Sequence, residues 1–274
     1  MSSKKKSMAR LPSLALLLAV VLSTSGCRNI FYPVTGGTTG GGPYPLTGNW
    51  QVAVTTPSGT APFSALAGSI VQEANLSTGS APVNSILQAL TPSSCYIGEP
   101  VLPLQGSLAG TKLSLTSFSV SGQNLVATLT TSDNADAFVG TYLIEGGCAN
   151  GTTGTLSGTM ILPMTGSYTG TTTGTATTIT IASTQDTNAD GLGSFHVQGT
   201  ATFTGSPCFT SATLQYSTST VTGEQVNLSM TGNDSSNISA VGTLASTGDT
   251  IILTSIQVLS GSCAGSLGTA TLNR

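Results

Sequence analysis

Three landmarks recur in one order at nearly one spacing, so the chain carries two copies of a single unit. Pro45-Leu46-Thr47-Gly48-Asn49-Trp50 returns as Pro163-Met164-Thr165-Gly166-Ser167-Tyr168. Thr91 through Cys95-Tyr96 returns as Thr204 through Cys208-Phe209, and Gly147-Cys148-Ala149 returns as Ser262-Cys263-Ala264. A Ser/Thr/Gly-rich chain matches itself easily, but that bias does not repeat a proline, an aromatic residue and a cysteine in register. Two homologous domains follow, 46–162 and 163–274, each of a size that can close its own core. Pro163 cannot donate to a strand ladder, which suits a boundary.

The repeat also organises the cysteines. The chain has five. Setting Cys27 aside leaves an early and a late one in each copy, so the expected bridges are Cys95–Cys148 and Cys208–Cys263. An even count suits an exported disulfide framework. Metal binding is the alternative, although no pair has the close spacing of a zinc site.

Period-2 alternation runs through both copies. Trp50, Val52 and Val54 share one face. Ile179 and Ile181 do the same in the second copy, as do Phe195, Val197, Ala201 and Phe203, and then Val226, Leu228 and Met230. Ser-Gly, Thr-Gly and Asn-Asp steps break these runs as turns would. The reading is all-β: two tandem antiparallel β-meander domains of about eight strands each. Closure into barrels hides the strand edges; two-sheet sandwiches are the alternative.

Charged residues make up 6 % of the chain, against ~25 % in ordinary soluble domains. Threonine and serine replace them and keep an exposed sheet face soluble without charge. Beyond residue 27 the bases are only Arg28, Lys112 and Arg274, against all 10 acids. No basic footprint exists, so nucleic acid is not an expected partner.

The start of the chain is an address. Lys4, Lys5, Lys6 and Arg10 precede the apolar run Leu14 to Leu22. That run is shorter than the ~20 residues a spanning helix needs and suits a signal peptide over 1–26. Ser25-Gly26-Cys27 resembles the lipobox of bacterial lipoproteins, with Thr24 where that family carries Leu, Val or Ile. The resemblance implies cleavage before Cys27 and diacylglycerol on its sulfur, which makes the membrane the expected partner. Arg28, in place of Asp, implies the outer membrane in a two-membrane bacterium. Residues 27–45, with Gly36-Gly37-Thr38-Thr39-Gly40-Gly41-Gly42, read as a tether. Two further resemblances concern the body. Thr47-Gly48-Asn49-Trp50 is similar to the opening strand of lipocalins and avidins, which are eight-stranded barrels. Avidins line their biotin site with several tryptophans, and this chain has only Trp50. The Gly-x-Trp opening, the mid-domain cysteine and the late Gly-Cys-Ala-Asn-Gly resemble uncharacterised Ser/Thr-rich bacterial surface lipoproteins, a family that brings no known activity.

The chemistry available is sparse. His196 is the single histidine, on the polar face of an expected strand, where a solvated side chain is the plain reading. No Gly-x-Ser-x-Gly turn serves it, and no phosphate-binding glycine loop occurs. Asp133 and Asp136 fall in an expected turn. The sharpest motif is Asp186-Thr187-Asn188-Ala189-Asp190-Gly191, which fits the first half of a calcium loop. Val197 stands where the bidentate Glu belongs, so Asp186, Asn188 and Asp190 are a weak calcium candidate beside an Asp-Gly hairpin turn. Thr171, Thr172, Thr173, Thr178 and Thr180 could form a hydroxyl array for ice or polysaccharide, but an exposed sheet face explains them more simply. The expectation is a non-enzymatic, lipid-anchored, exported protein with a structural or surface-binding role in the cell envelope. No catalytic residue and no cofactor beyond the calcium candidate are expected. A carboxylate-dependent polysaccharide hydrolase and a carrier of small apolar ligands are the alternatives.

Overall fold

The computed structural model describes residues 44–57, 61–76, 79–91, 94–96, 101–261 and 263–274. The expected signal segment 1–26, Cys27 and the part of the expected tether up to residue 43 lie outside the described residues.

The first copy forms β1 (Gly48–Thr55), β2 (Ala65–Gln72), β3 (Ala81–Ala89), β4 (Val101–Ala109), β5 (Lys112–Ser117), β6 (Asn124–Thr131), β7 (Ala137–Glu145) and β8 (Thr153–Ile161). Each strand pairs antiparallel with the next, and β1 pairs with β8, so the sheet closes into an eight-stranded barrel. The second copy forms β9 (Gly166–Thr171), β10 (Thr178–Ala189), β11 (Phe195–Thr204), β12 (Ser211–Leu214), β13 (Thr220–Thr222), β14 (Gln225–Gly232), β15 (Asn237–Leu244), β16 (Thr250–Val258) and β17 (Gly265–Asn273). Both β12 and β13 lie between β11 and β14, so they are two pieces of one broken stave. Asn273 opposite Thr169 joins β17 to β9 and closes the second barrel. Closure leaves neither sheet a free edge, which is the physical advantage of a barrel over a sandwich.

The alternation fixes which side chains point inward. Trp50, Phe138, Leu66, Ile70 and Leu113 fill the first interior; Tyr168, Ile181, Val197, Phe203 and Leu272 fill the second. Trp50 stacks at 5.0 Å on Phe138 and donates its indole N–H to the Leu46 carbonyl at 3.1 Å. Phe138 has room because Gly158 faces it; a Cβ there would lie 2.2 Å from the ring. Barrels of eight strands are narrow enough for side chains to fill, and these are filled.

Both expected bridges form. Cys95–Cys148 spans 53 residues with Cα atoms 5.8 Å apart, and Cys208–Cys263 spans 55 with Cα atoms 6.2 Å apart. The aromatic residue after each early cysteine packs edge-on inside its barrel, Tyr96 on Phe63 and Phe209 on Phe203. In the first barrel the buried Gln123 ties both ends of the bridge together. Its Nε2 donates to the Cys95 carbonyl at 3.0 Å, and its Oε1 accepts from the Ala149 amide at 2.8 Å.

Tyr96 sets an alkaline limit. Burial, then the neighbouring Tyr142, pushes its phenol up to about 12. Burial moves Tyr168 upward too, against the pull of Arg274. An unfolded tyrosine loses its proton from about pH 10, so stability present at neutrality is lost as pH rises through the interval up to the folded value. Melting temperature is expected to fall above about pH 10. Tyr96 Oη has no hydrogen-bond partner among the described residues. Tyr96→Phe is therefore expected to cost little at neutral pH and to blunt the alkaline loss. Paired thermal melts at neutral and alkaline pH check both; a variant as alkali-sensitive as its parent would count against this account.

The two barrels are packed together, tip against wall. The turns on either side of β11–β13 at one end of the second barrel press on the outside of β1, β2 and β3. The Asn49 side chain pairs with Gly223 as a strand would: Nδ2 donates to the Gly223 carbonyl at 2.8 Å, and Oδ1 accepts its amide at 2.6 Å. Gln51 Oε1 accepts from the Glu224 amide at 3.1 Å. Gln88 Nε2 reaches the Leu192 carbonyl at 2.8 Å and Ser194 Oγ at 3.0 Å. This contact is why Ala67 and Ser69, on the outward face of β2, are buried. Ile161, the last residue of β8, is buried with the second core, and the Leu162 amide donates to Ser246.

Candidate functional site

The single histidine, two aspartates and a tyrosine meet at the end of the second barrel where β10 turns into β11. Asp186 and Asn188 lie within β10, where the pairing with β11 shifts register between Gln185 and Ala189. The turn itself is 190–194. Its left-handed residue is Gly193, at φ +82°, and not Gly191 as an Asp-Gly turn would have it. Asp190 holds this turn: its Oδ1 accepts the Leu192 amide at 2.8 Å and the Ser194 amide at 2.9 Å. Its Oδ2 lies 3.5 Å from His196 Nε2. His196 Nδ1 lies 3.0 Å from the Tyr216 carbonyl, and the two rings stack at 4.9 Å. Tyr216 in turn donates its hydroxyl to Asp186 Oδ2 at 2.5 Å, which raises the tyrosine's pKa.

This geometry differs from a calcium loop. A loop of that kind curls its oxygens around one point; here Asp186 and Asn188 lie within strand β10 at its irregularity, and Asn188 is exposed. The oxygens of Asp186 and Asp190 already serve Tyr216, two amides and His196. Among the described residues, no group of three or more His, Cys, Asp or Glu side chains is placed to share an ion. Tyr216 and Ser194 escaped sequence reading because their roles depend on turns brought together across β11 and β13.

Four other aspartates sit in turns away from this place. Asp133 and Asp136 occupy the β6–β7 turn, where Ser132 Oγ donates to Asp136 Oδ1 at 2.6 Å. Asp234 is held low by the Ser236 hydroxyl and then its amide, and Asp249 by the Thr247 hydroxyl. Such carboxylates stabilise the fold above the ordinary carboxylate range, and that contribution fades as pH falls through their lowered values.

Outward faces carry hydroxyls in rows. Thr169 and Thr180 meet at 3.0 Å, Thr171 and Thr178 at 3.5 Å, and Thr173 and Thr269 at 3.1 Å. The row Ser114, Thr128, Thr141, Thr155, Thr55 crosses five staves of the first barrel. Thr172, by contrast, is buried and makes the local turn with Thr175 and Thr177. Cross-strand pairing of this type stabilises a sheet face by satisfying hydroxyls locally. Compared with known proteins, the chain matches no protein-family model and no curated protein. No helix among the described residues is long and apolar enough to cross a membrane, which says nothing of strands.

Proposed function

We propose that the chain is an exported, lipid-anchored, non-enzymatic module of the cell envelope, in which two joined barrels act as a rigid spacer or surface-binding body. The observation that carries this reading is the combination of side-chain-filled interiors with neutral, Ser/Thr-covered walls. Filled interiors favour it over a carrier of apolar ligands, which needs a cavity of some hundreds of Å³. Among the described residues the carboxylates hold turns and neighbouring side chains, Asp190 two amides and Asp186 the Tyr216 hydroxyl, which favours it over a hydrolase, whose two carboxylates must converge on one bond. The lipobox-like Ser25-Gly26-Cys27 supports the anchor, since several acyl chains together hold a protein stably at a bilayer.

The test is Cys27→Ser in the full-length chain, followed by membrane fractionation and metabolic labelling with a clickable fatty acid. The parent is expected in the membrane fraction with label; the variant is expected unlabelled and with its signal segment uncleaved. A labelled variant, or a parent that is soluble and unlabelled, would overturn the anchored reading.

A further inference from the structure

We propose that His196 is a proton-dependent staple that tightens the docking tip of the second barrel in its protonated form. Both of its ring nitrogens face acceptors. Nδ1 is 3.0 Å from the Tyr216 carbonyl, which can only accept, so Nδ1 must carry a hydrogen. Nε2 is 3.5 Å from Asp190 Oδ2, again an acceptor. A neutral imidazole has one N–H and one lone pair, whereas imidazolium has two N–H groups. With Nδ1–H committed, the neutral ring turns a lone pair toward a carboxylate, and only the protonated ring satisfies both contacts. Histidine is the side chain that changes charge in the physiological range.

The staple joins two turns. On one side is Asp190, whose other oxygen organises the 190–194 turn. On the other is Tyr216, between β12 and β13, fixed by its hydroxyl bond to Asp186 and stacked on the imidazole. The charged and titratable groups facing His196 are thus Asp190 after β10 and Tyr216 before β13, with Asp186 behind Tyr216. The 190–194 turn is also the one that offers the Leu192 carbonyl and Ser194 hydroxyl to Gln88 of the first barrel. Acid therefore tightens the turn that grips the other barrel. Deprotonation removes the Nε2–H···Asp190 contact and loosens it.

The experiment uses the whole exported body with both disulfides formed. Nitrogen-detected NMR of the single histidine reports which ring nitrogens carry hydrogen, while the Leu192 and Ser194 amide shifts report the turn. Those two amides are expected to titrate together with His196. His196→Gln should abolish that joint titration. Asp190→Asn keeps an oxygen for the two amides but removes the charge, so it should abolish it as well. Amides that ignore the histidine titration, a neutral ring with its hydrogen on Nε2, or variants with the parent's pH profile would each overturn the proposal.

Discussion

Replacing Cys208 and Cys263 by alanine is expected to destabilise the second barrel by about 4 kcal/mol, the value that chain entropy assigns to a closed loop of this length. The bridge spans 55 residues, half of the barrel, and ties the β11–β12 loop to the β16–β17 loop. Few other cross-links support those loops. Among described side chains, Asn233 holds Thr210, at 3.2 Å to its amide, and Ser260 Oγ accepts the Asn237 amide at 2.9 Å. The equivalent bridge in the first barrel spans 53 residues and has the same entropic worth, but Gln123 holds its two ends together independently. The first barrel is therefore expected to lose less, and reducing agent to melt the second barrel first. Urea titration of the two double-alanine variants, read by circular dichroism, checks the order. Equal losses, or a loss under about 1 kcal/mol in the second barrel, would mean the loops are held by something other than the bridge.

Gly223→Ala is expected to break the docking between barrels. Its Cβ would lie 2.3 Å from Gln51 Oε1 and 2.7 Å from Ala67 Cβ, on a backbone at φ +56°. Two costs are mixed in that change, the left-handed backbone and the collision. Gly110 separates them: it sits in the β4–β5 turn at φ +60° with nothing within 4 Å of a Cβ. Gly110→Ala should therefore cost only the backbone term, about 1 kcal/mol. Gly223→Ala should cost several times more and expose the buried outer face of β2. Asn49→Ala removes the other half of the contact and strands the Gly223 amide and carbonyl, at about 1–3 kcal/mol for each unsatisfied group. In calorimetry the parent is expected to melt as one unit and both docking variants as two. If Gly110→Ala and Gly223→Ala cost the same, the contact contributes nothing.

The docking also bears on how the halves could be separated. A fragment starting at residue 163 discards Ile161, which is buried with the second core, and the Leu162 amide bond to Ser246. It also leaves Gly223 without its Asn49 partner. A fragment starting at Ile161 retains the first two contacts and is the better candidate for independent folding.

What the sequence determined by itself is everything that depends on local period and on the repeat. Alternation at Trp50-Val52, Ile179-Ile181 and Val226-Leu228-Met230 assigns inward faces, because a strand's side chains switch sides at every residue and only one face can be apolar. The repeat paired the cysteines, because two copies of one fold place equivalent residues at equivalent points. An eight-strand meander has edges to hide, which favoured closure, but the choice of barrel over sandwich came only with the β1–β8 and β17–β9 pairings. What only the tertiary structure decided is where residues distant in sequence meet. Asn49 and Gly223 are 174 residues apart, and the equivalent of Asn49 in the second copy is the shorter Ser167, so the repeat gives no hint of the contact. The partners of the Asp186–Gly191 motif were hidden for a related reason. Its residue types are those of an ion-binding loop, but Asp186 to Asn188 fall in the irregularity of β10 between Gln185 and Ala189, and Tyr216 and His196 arrive from β12–β13 and β11 to meet the oxygens of Asp186 and Asp190. Residue types limit which partners a side chain can take; three-dimensional packing selects among them, because a hydrogen bond needs its partner within about 3 Å and sequence spacing does not report that distance.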